Sequence, residues 1–339
     1  RQVQLVAING EQFQIRESGA SGGYRYSADT GPMGETWFFK QPNAKDPWGI
    51  RVSMKSTPLA LSGLNASIAT VFNRLRAIGC PTTSLMTSVG RVDYAQDFLL
   101  DDFILEPDNF VMHSRMTKAE DGALSVIGRS GKTTAVRIGK IPGKQVAIYD
   151  KRADVIAKRK REWWEIWNAN LAKAGLSAIS QEGSAGRIWR CELRAGKKFL
   201  KERLSIRTID DFAQSGASPF AQIAQSIRYS QPTRDQNRAR WPDSVLWREV
   251  NANLRYGLRE WQSGLSAETV LAIRREELLT TLKAQVIGCT ASYASVAGLS
   301  GENEDVLAQI SMLPCEWIRD QPDQFLAKLT QATDRYCYF

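Results

Sequence analysis

The sequence predicts an α+β fold, with strands and helices mixed to about residue 205 and an α-helical part after it. Two observations predict this division. In the first part, short runs rich in aromatic and β-branched residues alternate with Gly, Pro and Asn clusters, as in strands joined by turns. From about residue 208 the apolar residues recur at helical spacing. The 339 residues suffice for one large domain or two ordinary ones.

The first 60 residues are expected to form β-structure, because strand-like runs are separated by turn residues. The runs lie at 24–26, 36–39 and 50–54. From Leu61 to about residue 79 one apolar stripe at helical spacing predicts a helix, which Pro81 ends. Residues 99–132 show no clear period and are expected to be irregular or to form short elements.

Three later strands each place apolar side chains on one face and polar groups on the other. They cover 89–98 with Asp93 and Asp97, 145–150 with Tyr149, and 187–194 with Glu192. The second strand forms a predicted hairpin with residues 134–139, and a long helix is expected over 151–173. If the three strands are neighbours in one sheet, Asp93 and Glu192 meet beside Tyr149.

Residues typical of helix N-termini mark where helices of the α-helical part begin. Thr208 to Asp211 resembles a capping box, and Pro242 suits the first position of a helix. Ser266 opens a long helix, and Asp323 is expected to cap a last one. These signals divide the chain into an α+β domain over 1–207, a basic helical connector over 208–240 and an α-helical domain over 241–339.

Positive charge is concentrated in a few stretches, which is more informative than the net charge of +9. Six basic residues lie between Lys151 and Arg161, and eight between Arg187 and Arg207. One such run is usually a solvated helix face, but several close together favour a polyanion such as nucleic acid. The cations expected to contact DNA are Arg152, Lys158, Arg159, Lys160, Arg161, Arg190, Arg194, Lys197, Lys198 and Lys201.

Tyr149 and Lys151 stand at the start of a basic and aromatic stretch. The cations after them are followed by Trp163, Trp164 and Trp167. A phenol can attack a DNA phosphate covalently, while cations neutralise the backbone and indoles stack bases. The alternative is that Tyr149 is a half-buried amphipathic residue at a strand end.

The acidic residues of the strands suit Mg²⁺ or Mn²⁺, since both ions prefer carboxylate oxygens. Such an ion would polarise a phosphodiester and stabilise the charge that develops on attack. Asp93 and Asp97 lie roughly 13 Å apart along an extended strand. We therefore expect Asp93 and Glu192 to hold the ion, with Asp97 as a further ligand or as the partner of a cation. The alternative is a solvated sheet face without a metal.

Other kinds of site are disfavoured. Five cysteines without a CxxC spacing argue against a zinc site and a disulfide framework, and fit a reducing compartment. His113 is the single histidine, so a two-histidine metal site is excluded and a structural role is expected. Gly128 to Thr133 resembles a phosphate loop, but Val126 stands where a Gly is required, so a basic turn is expected. No apolar run reaches transmembrane length, and a cytoplasmic protein without a membrane partner is expected.

Four motifs in order resemble the replication initiation factor family, which comprises rolling-circle initiators of plasmids and filamentous phages and related relaxases of conjugative elements. The motifs are Arg91-Val92-Asp93-Tyr94-Ala95-Gln96-Asp97, Val136-Arg137-Ile138-Gly139, Ile148-Tyr149-Asp150-Lys151 and Trp189-Arg190-Cys191-Glu192-Leu193-Arg194. The resemblance covers residues 36–207, about half the chain. Cys191 departs from it, because an aliphatic residue is expected there.

The resemblance implies a fold related to the two-histidine nicking endonucleases, with a central antiparallel sheet flanked by helices and acids in place of the histidines. It implies that Tyr149 nicks one DNA strand and stays bonded to the 5′-phosphate, with Lys151 near the scissile phosphate. Asp93 and Glu192 would hold the metal. The freed 3′-hydroxyl would prime replication, or would be rejoined in a relaxase. The implied partner is single-stranded or hairpin DNA at a replication or transfer origin.

Initiator and relaxase share this chemistry, and the sequence does not separate them. A non-catalytic DNA-binding regulator with the same fold is a further alternative. An enzyme for a small anionic substrate is disfavoured, because the basic residues are spread along the chain rather than gathered for one pocket. Residues 241–339 match no motif, and their role is open between forming a homodimer, recruiting a host helicase and recognising the origin.

Overall fold

The computed structural model describes residues 3–112, 124–129, 131–182, 186–255, 257–258, 262–299 and 304–339, and His113 lies outside these ranges. The strands are β1 (Val3–Ile8), β2 (Glu11–Arg16), β3 (Tyr26–Asp29), β4 (Glu35–Phe39), β5 (Ile50–Met54), β6 (Arg91–Leu99), β7 (Phe110–Met112), β8 (Leu124–Arg129), β9 (Lys132–Gly139), β10 (Lys144–Asp150), β11 (Ile188–Gly196) and β12 (Ile227–Tyr229). The helices are α1 (Ser56–Ala77), α2 (Lys151–Ala157), α3 (Glu162–Lys173), α4 (Lys197–Leu204), α5 (Ile209–Ser215), α6 (Ser218–Ser226), α7 (Val245–Arg255), α8 (Ala267–Val296), α9 (Glu304–Asp320) and α10 (Pro322–Arg335).

The chain forms two compact units whose segments alternate along the sequence. The first unit comprises residues 1–80, 160–170 and 262–339, and the second comprises residues 81–159 and 171–261. The expected divisions after residues 207 and 240 do not coincide with these boundaries. The reason is that the C-terminal segment packs with the N-terminal sheet: Gln14 Nε2 donates to the carbonyl oxygen of Asp334 at 2.9 Å.

The first unit contains an antiparallel sheet in the order β1-β2-β3-β4-β5, called the N-terminal sheet below. One face packs on α1 around the fully buried Trp37, whose ring meets that of Phe13 edge-on at 6.0 Å. The β1–β2 hairpin turns at Asn9-Gly10, where both residues have positive φ. The β-structure expected for the first 60 residues is confirmed, although α1 begins at Ser56, earlier than the apolar stripe predicts.

The second unit contains an antiparallel sheet in the order β6-β11-β10-β9-β8, called the central sheet below. Its apolar face packs against α6, where the rings of Tyr94 and Phe220 lie 5.3 Å apart. Ile148 and Leu193 are fully buried on the same face. The α+β class is therefore confirmed, and the three expected strands are neighbours in one sheet.

Two connecting segments differ from the expectation. The predicted helix over 151–173 is divided into α2 and α3, because Arg159 between them has φ of 50°, which a helix does not allow. The irregular stretch over 99–132 includes the short strands β7 and β8. β8 and β9 pair antiparallel, with Gly128 opposite Thr133 and Arg129 opposite Lys132, so these residues of the segment that resembles a phosphate loop belong to paired strands. Ser130 of that segment lies outside the described residues.

The helix ends in the last third follow the sequence signals in part. Thr208 and Ser266 cap α5 and α8 as expected. Pro242 does not begin a helix, because Asp243 pairs with Arg228 at 2.7 Å and α7 starts only after it. Asp323 lies in the first turn of α10 rather than at its cap. Within the described ranges, none of the helices combines the length and apolar character that crossing a bilayer requires.

Candidate functional site

The candidate site lies on the polar face of the central sheet, centred on β11. This strand lies between β6 and β10, and directly paired residues of antiparallel strands project to the same face. Three rows of paired residues result: Asp97–Arg190–Tyr149, Ala95–Glu192–Ala147 and Asp93–Arg194–Gln145. The register therefore brings the predicted catalytic and metal-binding residues of three strands together on one face.

Tyr149 and Glu192 form the closest contact of the site. Tyr149 Oη donates a hydrogen bond of 2.7 Å to Glu192 Oε1. The other carboxylate oxygen accepts from Arg194, whose Nε lies 2.8 Å from it. Arg194 is held in turn by Gln145 Oε1 at 2.6 Å. Glu192 is only 9% exposed, so this phenol–carboxylate pair is largely shielded from water.

A buried ion pair lies beside the phenol. Arg190, which opposes Tyr149 across the strands, donates from Nε and Nη2 to the two oxygens of Asp97 at 2.6 and 2.7 Å. The geometry is bidentate, which is the strongest form of this interaction. Asp97 thus pairs with a cation, one of the two roles that the sequence leaves open for it.

The environment moves the pKa values of Tyr149 and Glu192 apart. Burial raises the pKa of the Tyr149 phenol above its ordinary value; the charge of Arg190 lowers it, and Glu192 raises it. Burial would also raise the pKa of Glu192, but Arg194, the hydrogen bond from Tyr149 and Arg190 together lower it. At neutral pH the phenol is therefore protonated and the carboxylate ionised. These are the protonation states from which a proton could pass from the phenol to the carboxylate.

Lys151 is the first residue of α2, directly after β10, and Asp150 caps this helix by accepting a hydrogen bond from the Ala153 backbone N–H at 2.8 Å. The Lys151 ammonium is 5.9 Å from the centre of the Tyr149 ring and donates to Asp154 at 2.7 Å. Burial and the charge of Arg190 lower the pKa of Lys151, against the opposing effect of Asp154. Lys151 is thus a buried cation beside the phenol.

The two expected metal ligands share a face but do not converge. Asp93 pairs with Arg91, whose Nε lies 2.7 Å from Oδ1, and it opposes Arg194 rather than Glu192. Glu192 is bonded to Arg194 and Tyr149. In the part of the chain that the structure describes, no three His, Cys, Asp or Glu residues are grouped to hold a metal ion. Two carboxylates already paired with arginines do not fit a divalent cation, and the Mg²⁺ or Mn²⁺ requirement stays a prediction.

The cations expected to contact DNA fall into two groups. Six are exposed and one, Lys160, is half-buried; the exposed ones are Lys158, Arg159, Arg161, Lys197, Lys198 and Lys201. Arg152 is buried and donates to the carbonyl oxygens of Ser180 and Gln181, so it stabilises that segment instead of lying on an exposed surface. Arg190 and Arg194 are held within the polar face of the central sheet. The exposed group therefore consists of lysines and arginines on and around α2 and α4.

The three tryptophans of α3 are not available to stack bases. Trp163, Trp164 and Trp167 are all buried, and the last two meet edge-on with ring centres 5.3 Å apart. Their helical spacing places them on the core side of the helix. The expectation of exposed indoles is therefore wrong, because an aromatic cluster at this spacing forms a core.

Three residues of the site were not expected from the sequence: Gln145, Asp154 and Arg91, which hold Arg194, Lys151 and Asp93 respectively. Asp154 follows Lys151 by three positions on a helix, a spacing that predicts contact. That Gln145 contacts Arg194 is known only from the register between β10 and β11.

Comparisons with known proteins give a partial likeness to solved structures. Neither the known family models nor the curated proteins include a match to this chain. Among solved structures, the chain is similar to the rolling circle replication initiator protein from Geobacillus stearothermophilus, with 13% identity and a TM-score of 0.37. The similarity covers 72% of this chain and 82% of that one. We base no functional inference on a likeness of this size.

Proposed function

We propose that this protein cuts and rejoins one strand of DNA through Tyr149 and thereby initiates rolling-circle replication of a plasmid or phage. The observation that carries the proposal is the 2.7 Å hydrogen bond from the Tyr149 phenol to the Glu192 carboxylate. A largely buried carboxylate that accepts a hydrogen bond from a phenol is placed to act as the general base for that nucleophile. The four motifs of the resemblance support the substrate and the reaction.

In the proposed step, Tyr149 Oη attacks a phosphodiester phosphorus while its proton passes to Glu192. The bond from the tyrosine oxygen to phosphorus forms, and the bond from phosphorus to the 3′-oxygen breaks. The 5′-phosphate stays on the protein, and the leaving 3′-oxygen takes a proton from Lys151. The lowered pKa of Lys151 favours this role. When the 3′-hydroxyl attacks in reverse, the strand is rejoined and Tyr149 is restored.

Two sets of cations have different tasks in this scheme. Arg190 and Arg194 lie next to Tyr149 and Glu192, where fixed positive charge stabilises the charge that develops on the phosphate. Lys197, Lys198 and Lys201 on α4 are exposed and contact the DNA backbone. The proposed substrate is single-stranded or hairpin DNA at an origin, and the proposed location is the cytoplasm. A homodimer and a host helicase as partners of α8 to α10 stay predictions.

The proposal is tested with labelled single-stranded DNA from the protein's replicon, followed by a denaturing gel and mass spectrometry. We expect a covalent adduct on Tyr149 that Tyr149→Phe abolishes while DNA affinity remains. The matched control is Tyr94→Phe, which removes a phenol from the opposite face of the same sheet, where Gln96 Nε2 donates to it at 2.7 Å. This control should form the adduct normally.

Three outcomes of this experiment decide between the alternatives. An adduct that persists in Tyr149→Phe contradicts the proposal. Tight, salt-sensitive binding without any adduct favours a DNA-binding regulator. An adduct that forms with Mn²⁺ and is lost with chelator supports the metal prediction, whereas an adduct that survives chelator assigns the chemistry to the side chains alone. A relaxase has the same adduct, and restoring replication to a replicon that lacks its initiator distinguishes the initiator.

A further inference from the structure

The N-terminal sheet carries aromatic and cationic side chains on the face opposite its core. The core face contacts α1 through Trp37 and its neighbours. On the other face, Phe38 of β4 is paired with Arg51 of β5, so both side chains project away from α1. Tyr24 and Lys40 adjoin them. We call Tyr24, Phe38, Lys40 and Arg51 the aromatic–arginine patch.

Within this patch, cations lie against rings. The Arg51 guanidinium carbon is 4.2 Å from the centre of the Phe38 ring and 4.9 Å from that of Tyr24. Lys40 Nζ is 4.6 Å from the Tyr24 ring centre. The rings of Tyr24 and Phe38 are inclined at 63° with centres 6.3 Å apart, so they are not stacked parallel to each other. Arg51 therefore contacts both rings without being enclosed between them, and it keeps part of its surface exposed.

The charge of the patch is only partly neutralised by the fold. Lys40 pairs with Asp46. Arg51 forms no ion pair with any carboxylate that the structure describes, and the same holds for Arg16, an exposed residue. Arg16 belongs to the same row across the sheet, through Ser27 and Phe38. Two uncompensated guanidinium groups on one exposed face attract a polyanion.

The neighbouring part of this face is already covered by the C-terminal segment. Gln14 donates to the carbonyl oxygen of Arg335 at 2.7 Å, and Tyr338 Oη donates to that of Asp29 at 3.0 Å. Gln14 and Asp29 form the row next to the one that contains Arg16 and Ser27. Among the described residues, the C-terminal segment therefore contacts the row beside the patch, and the patch keeps part of its surface exposed.

We propose that the aromatic–arginine patch binds single-stranded DNA. Bases stack on the rings and on the guanidinium plane of Arg51, while phosphates contact Arg16 and Arg51. The Lys40 side chain is buried against the Tyr24 ring and bonded to Asp46, so it supports that ring. Duplex DNA keeps its base faces stacked, so the patch prefers a separated strand. This binding uses residues of the first unit and does not depend on Tyr149 acting as a nucleophile.

The test measures binding of a fluorescent oligo(dT) by anisotropy at several salt concentrations, with Tyr149→Phe in every protein so that no strand is cut. Phe38→Ala removes a stacking surface, and we expect about tenfold weaker binding. Arg51→Gln removes one phosphate contact, and we expect the slope of log affinity against log salt to fall by about 0.7. Oligo(dT) with 5-iododeoxyuridine, irradiated on the protein, should crosslink to the peptides that contain Tyr24 or Phe38.

Matched controls remove the same groups elsewhere in the first unit. Arg76→Gln removes an exposed guanidinium from α1, and Tyr293→Ala removes an exposed ring from α8. Both should bind like the parent protein. The proposal is overturned if the patch variants also bind like the parent, or if all crosslinks fall outside residues 16–54. Polyglutamate that competes equally well, with no effect of Phe38→Ala, would assign the patch to acidic protein segments instead.

Discussion

The two five-stranded antiparallel sheets hold arginine in opposite ways. In the central sheet, Arg190 is buried and bonded through two nitrogens to Asp97. In the N-terminal sheet, Arg51 lies against Phe38 and Tyr24 and forms no ion pair with the described carboxylates. A buried pair is fixed in position and is screened little by salt, whereas an exposed guanidinium is screened and available to a ligand. The two proposals rest on this difference: the first arrangement suits groups that must be held in place, and the second suits contact with a ligand.

The largest expected effect concerns the buried base. Glu192→Gln keeps the shape of the side chain but cannot take a proton, so we expect adduct formation to slow about 10²- to 10⁴-fold. In the parent protein the rate should fall as pH drops through the lowered pKa of Glu192. In the variant the rate should rise steadily with pH instead, since the phenol must then lose its proton unaided.

Single-turnover adduct formation between pH 3 and 9 measures both profiles, because the fall in the parent protein lies at acidic pH. The control, Glu202→Gln, removes an exposed carboxylate from α4 and should leave the rate and its pH profile unchanged. Equal pH profiles for the parent and Glu192→Gln would show that Glu192 is not the base.

The second largest effect compares two ion pairs whose aspartates both lie on β6, one pair largely buried and the other more exposed. Asp97→Asn leaves the buried Arg190 without its charged partner, and we expect a loss of about 3 kcal/mol in the free energy of unfolding. Asp93→Asn removes the same charge from the more exposed pair with Arg91 and should cost less than about 1 kcal/mol. Urea unfolding measures both. Similar losses would mean that the two pairs do not differ in burial as described.

The smallest effect concerns exposed cations of the second unit. Replacing Lys197, Lys198 and Lys201 by Gln should lower the slope of log affinity against log salt by about 2, at roughly 0.7 per phosphate contact. The adduct rate at saturating DNA should stay the same, since α4 supplies binding and not chemistry. The control replaces three exposed cations elsewhere by Gln: Arg275, Lys283 and Lys328. An equal change in slope for both triple variants would remove α4 from the DNA surface.

Local patterns predicted the strands of the site but not all of its neighbours. Alternation of polar and apolar residues places Asp97 and Glu192 on polar faces, because a strand has a strict period of two. The β1–β2 hairpin carries an equally local signal, Asn9-Gly10, whose positive φ values suit a two-residue turn. The break between α2 and α3 has no comparable signal, because the cations around Arg159 have good helix propensity.

Exposure was the property that the sequence predicted least well. Trp163 and Arg152 were both expected on a DNA surface, and both are buried. Each side chain has a long apolar part and one polar end, so its environment depends on what packs against it. Arg152 donates from Nη2 to two backbone carbonyl groups far away in the sequence, which no local pattern predicts.

The sequence by itself determined the α+β class, the polar faces of three strands and the basic stretches, since these depend on residue type and short-range period. The tertiary structure decided the order β6-β11-β10, and with it the contact between Tyr149 and Glu192, which are 43 residues apart. It also decided that Asp93 and Glu192 pair with arginines rather than with each other. Strand order and register follow from the packing of whole faces, and a shift of one residue would send every one of these side chains to the opposite face.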